Sequence, residues 1–149
     1  MTRLLQGSVR VEGVDHEDFT DNEHPRDKLR DFQLFLVEGQ PEQTIEVRPV
    51  SWGGECRVEV ELNARALADG TARIGGQARF FEGASETTGE LEDTRSIDFA
   101  VPPTTPATPP RQHHVHLRNF VDVGAEDTAD VFLTVTNSRV DVDDGDGDL

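Results

Sequence analysis

Apolar and polar residues alternate with a period of two through most of this chain. The clearest stretch is Glu55 to Leu67, where Cys56, Val58, Val60, Leu62, Ala64 and Ala66 share one face. Arg57, Glu59, Glu61, Asn63 and Arg65 share the other. Such a segment predicts a strand with one buried and one wet face, the usual state of an antiparallel sheet. Shorter runs repeat the pattern at Val9 and Val11, at Ile45 and Val47, and at Ile97, Phe99 and Val101. Near the end, Val115, Leu117, Val121 and Val123 fall on one face, and Val131, Leu133 and Val135 do the same in a last strand. Phe32 to Val37 is apolar on both faces, as in a strand covered twice or one that meets a partner.

Turn residues separate these runs. Gly39-Gln40-Pro41, Gly53-Gly54 and Asp69-Gly70 each carry the chemistry of a tight reversal. Gly75-Gly76 falls inside a strand and predicts a bulge or bend. Trp52 lies in the turn before Gly53 and should pack at a sheet edge. One short helix is predicted over 23–30, with Asn22 as its cap and Pro25 in its first turn. Residues 102–110 hold five prolines, which bars a central strand and predicts an extended crossover. The fold class expected is all-β: a two-sheet antiparallel β-sandwich of about 7–9 strands, with acidic loops. One domain is expected over 1–140, followed by a disordered acidic tail over 141–149.

Charge narrows the partners. Asp and Glu total 30 against 14 Lys and Arg, for a net charge of −16 in 149 residues. Nucleic-acid binding draws its affinity from basic residues on phosphates, so it is excluded as a direct role. Lys28 is the only lysine, a bias that also suits a high-salt habitat. The start of the chain lacks a signal peptide's apolar stretch, and no segment approaches the ~18 apolar residues of a membrane span. A soluble, cytoplasmic protein is expected, without direct membrane insertion; export by a non-classical route stays open. Cys56 is the only cysteine, so no internal disulfide forms; it should be a buried, inert thiol.

Three groups of residues could carry chemistry. Calcium takes six to eight oxygen ligands, and loops at one end of a sandwich can supply them. Asp15, Asp18 and Asp21 in one loop, with Glu126, Asp127 and Asp130 in another, are the expected calcium contacts. In architecture alone this resembles the calcium loops of C2-type sandwiches. Asp144, Asp146 and Asp148 match the first three ligand positions of an EF-hand loop, but the glycine and glutamate that complete it do not follow. His114 and His116 leave one face of a strand, a spacing that grips zinc if a third ligand, such as His16, His24 or an acid, joins them. Phe120 shares their face. No nucleophile or phosphate-binding motif appears. The function expected is a non-enzymatic binding or structural module, calcium-responsive, acting through protein–protein contacts. The alternatives are a metal-assisted hydrolase on His114 and His116, and a self-assembling shell or appendage subunit.

Overall fold

Nine strands and no helix make up residues 1–15, 22–83, 89–119 and 127–140, the part of the chain that the computed structural model describes. The strands are β1 (Thr2–Val14), β2 (Leu29–Val37), β3 (Gln43–Glu46), β4 (Val50–Trp52) and β5 (Cys56–Ala66). They continue with β6 (Ala72–Glu82), β7 (Glu90–Val101), β8 (Arg111–Arg118) and β9 (Thr128–Val140). A four-stranded sheet runs β2-β1-β9-β8, and a five-stranded sheet runs β3-β5-β6-β7 with β4 also on β5. Every pairing is antiparallel. Residues 102–110 carry the chain from β7 in one sheet to β8 in the other. No helix among the described residues is long and apolar enough to cross a membrane.

The alternation in the sequence sets what each sheet buries. Val9, Val11, Val131 and Leu133 from the first sheet meet Val58, Leu62, Ile74 and Phe80 from the second in one apolar cluster. Trp52 is not in a turn: it ends β4, buried, and stacks on Phe80 with ring centroids 5.9 Å apart. Phe81 points to the other face, under the Arg57 guanidinium at 4.4 Å. The outer faces are ruled by ion pairs such as Arg79 with Glu61 at 2.6 Å and Arg73 with Asp98 at 2.9 Å, which absorb part of the acid excess.

The helix expected over 23–30 does not form. Glu23 instead bridges Asp15 through two backbone hydrogen bonds of 2.9 and 3.0 Å. Arg30 is the second residue of β2, and its side chain donates to the carbonyls of Arg48 and Pro49 at 3.0 and 2.8 Å. A helix here would have stacked Arg26 on Arg30 and Asp27 on Asp31, and like charges at that spacing repel. The turns fall where glycine allows positive φ: Gly53 (66°) and Gly54 (72°) join β4 to β5, and Gly70 (87°) joins β5 to β6.

Gly75 and Gly76 do not mark a bulge. Pairing with Asn63 and Leu62 runs through them without a shift, and the irregularity in β6 lies at Phe80/Phe81, against β7. Gly76 is there for close approach. Its φ is 140°, and a Cβ would overlap the Glu61 carbonyl oxygen in the neighbouring strand.

A buried polar network closes one end of the sheets. Arg3 Nε donates to Asn137 Oδ1 at 2.8 Å. Asn137 Nδ2 donates to the carbonyls of Gly70 and Val101 at 2.8 and 2.9 Å. Its backbone N–H donates to Thr104 Oγ1 at 2.9 Å. One residue thus ties β1 and β9 to the β5–β6 turn, the end of β7 and the start of the proline crossover.

Candidate functional site

The opposite end holds the site. Asp15 follows β1, Cys56 opens β5, Glu82 ends β6 and Asp127 precedes β9. Each occupies the inward position at the end of its strand. Asp15 continues the inward series Val9, Val11, Gly13; Asp127 precedes Ala129 and Val131; Glu82 follows Ala78 and Phe80; Cys56 begins Cys56, Val58, Val60. Cys56 and Glu82 are direct cross-strand partners. Val14 and Thr128 are partners too, which sets Asp15 and Asp127 side by side one step further out. Each sheet therefore supplies two groups, and one donor atom from each of the four residues lies within 4.8 Å of all the others.

Burial makes this an expensive arrangement. Asp15 is 2% exposed, Asp127 7% and Cys56 0%. Two unit charges at such a separation repel by about 3–4 kcal/mol at the effective dielectric of a protein. The protein's own response is to keep protons on. Burial first, then the hydrogen bond to Asp127 and its charge, push the Glu82 carboxyl up to about 8, although the Asn119 amide, hydrogen-bonded to it, pulls the other way. Burial and the neighbouring Asp127 thus both favour the protonated form of Glu82. Burial, followed by the charges of Asp15, Asp127 and Glu82, pushes the Cys56 thiol up as well.

The geometry fits a metal ion. An ion bonded to oxygen at about 2.0–2.6 Å, or to sulfur at about 2.3 Å, gathers its donors into a space of this size. Bound there, it would displace the proton from Glu82 and offset the repulsion between Asp15 and Asp127. Among the described residues this is the group of three or more His, Cys, Asp or Glu side chains whose ligand atoms converge so closely.

The six residues expected to touch calcium are divided by the fold. Asp15 and Asp127, from loops far apart in sequence, are brought together. Asp18, Asp21 and Glu126 lie outside the described residues, as do Asp144, Asp146, Asp148, His16 and Phe120. Asp130 does not join the site. It stands three residues after Asp127, and an odd step along a strand reverses the face. Its Oδ1 instead takes hydrogen bonds from His114 Nε2 at 2.7 Å and His116 Nδ1 at 2.8 Å. Burial alone would raise the Asp130 carboxyl, but the bonds from His116 and His114 outweigh it and hold the group below its ordinary range.

That histidine pair lies on the outer face of the four-stranded sheet. His114 stacks on Phe132 at 4.6 Å, and Arg10 covers the same ring at 4.8 Å. The acid that a zinc pair would need is present, but both imidazoles address one carboxylate oxygen, and the three do not close into a group within 4.8 Å. The geometry is that of a hydrogen-bonded triad. His24 is engaged elsewhere, its Nδ1 2.9 Å from the Gly13 carbonyl oxygen.

Cys56 and Glu82 were missed as site residues because each ends an apolar series and reads as core or rim. The signal that finds them is phase: the inward face of β6, followed past Phe80, lands on Glu82. No protein-family model matches this chain, and no curated protein and no solved structure matches it either.

Proposed function

We propose that this chain is a non-enzymatic binding module, a β-sandwich that takes a divalent cation between its sheets and uses it to set a protein-binding surface. The observation that carries this reading is the convergence of two buried carboxylates, Asp15 and Asp127, with Glu82 and Cys56 within 4.8 Å. Carboxylates and a thiol gathered this closely form a donor set of the kind that binds metal ions. Asp15 follows β1, Glu82 ends β6 and Asp127 precedes β9, so three strand ends meet here. An ion held among them ties these strand ends together across the two sheets. Cation loading thereby changes what the end presents to another protein. The outer face of β2 supplies a further contact, with Phe35 53% and Val37 42% exposed.

Equilibrium dialysis of the purified protein against calcium, and separately against zinc, tests the reading. One ion per chain should be retained from at least one of the two and released by chelator. Retention of neither, or loose uptake of many ions without saturation, would show that the converging acids hold no specific ion.

A further inference from the structure

The identity of the ion follows from the donors, and this step rests on the cation reading above. We infer that the site takes a borderline transition-metal ion of the zinc class, bound through the Cys56 thiolate and the carboxylates of Asp15, Glu82 and Asp127. Calcium, the ion the acid-rich loops suggest, takes six to eight oxygens and has no use for sulfur. Here one of the four converging groups is a thiol, fully buried and directly across β5–β6 from Glu82. Four donors from four elements, one of them sulfur, match the tetrahedral count of zinc. Soft thiolate selects zinc over calcium and magnesium.

A second observation points the same way. Ligands of a bound metal are oriented by outer hydrogen-bond donors. Asn119 donates to Glu82 from the β8 side. Trp52, the cross-strand partner of Cys56, carries a buried indole Nε1–H with no acceptor, in a residue only 3% exposed. The indole Cε2, which bears Nε1, packs against Gly13, two residues before Asp15. This buried donor therefore lies beside the chain that leads into Asp15, with its hydrogen-bonding capacity unused. On binding, the Cys56 sulfur gives up its proton to solvent and donates its electron pair to the ion.

Cobalt(II) reports this directly, because a thiolate ligand gives an intense near-ultraviolet charge-transfer band. One equivalent of cobalt added to the full chain should produce that band. Zinc should bleach it, and a large excess of calcium should not. Cys56→Ser should abolish the band and weaken zinc by more than the roughly 10–100-fold that loss of an outer partner costs. Asp127→Asn should also lose the band, which keeps the test decisive if the serine variant does not fold. Cobalt bound without the band, or displaced by calcium at comparable concentration, overturns the thiolate and leaves the cation reading intact. Failure of cobalt, zinc and calcium alike to bind removes both.

Discussion

Asn137→Ala should destabilise the protein by about 4 kcal/mol and lower its melting temperature by about 10 °C. The side chain accepts from Arg3 and donates to two carbonyls, all in the buried end of the sheets. Alanine leaves the Gly70 and Val101 carbonyls without their donor and the Arg3 guanidinium without its closest acceptor. An unsatisfied buried polar group costs about 1–3 kcal/mol, more when it is charged. Chemical denaturation followed by circular dichroism measures the change. A loss below about 1 kcal/mol would mean that the network does not form. Because this end lies opposite the Asp15–Asp127 pair, metal binding by the folded variant should be unaltered.

Gly76→Ala should cost about 3–4 kcal/mol by the same measurement. The residue holds φ at 140°, where side chains are strained, and its Cβ would meet the backbone of β5 at Glu61. A carbonyl in a paired strand cannot move aside without breaking the ladder, so the clash is not relieved by a side-chain rotation. Gly75→Ala is the control. Its Cβ comes closest to the Asn63 side chain, at 3.1 Å, with the Ile97 carbonyl oxygen at an ordinary 3.8 Å, and should cost less than about 1 kcal/mol. Equal effects at the two positions would contradict the close approach assigned to Gly76.

Strands were the legible part of this sequence because alternation is written residue by residue. Cys56 to Ala66 and the last strand through Val131, Leu133 and Val135 face the core as their phase predicts. Asn22 to Arg30 was misread because a cap signal and a proline are local, whereas the bridge from Glu23 to Asp15 is a tertiary contact. The site was legible only in part, for a related reason. Asp15 and Asp127 stood out as acids in turns, and their meeting depends on β1 pairing with β9 across more than a hundred residues. Asp130 was grouped with Asp127 because they are close in sequence, yet strand geometry sends them to opposite faces. Glu82 and Cys56 are found only when the inward phase of β6 and β5 is followed to the strand ends.

On the proposed reading, the acids at this end are placed for a cation rather than for solubility. Thermal melting of the wild type and of Asp127→Asn, each with zinc and with chelator, tests it most directly. Zinc at about 100 times its dissociation constant should stabilise the wild type by about 2.7 kcal/mol, since only the folded chain presents the site. Asp127→Asn should gain nothing from zinc and should melt at or above the wild type in chelator, because the amide removes one charge from a group of buried acids. A wild type that melts identically with zinc and with chelator, or a variant that keeps the full zinc-dependent rise, would contradict the account.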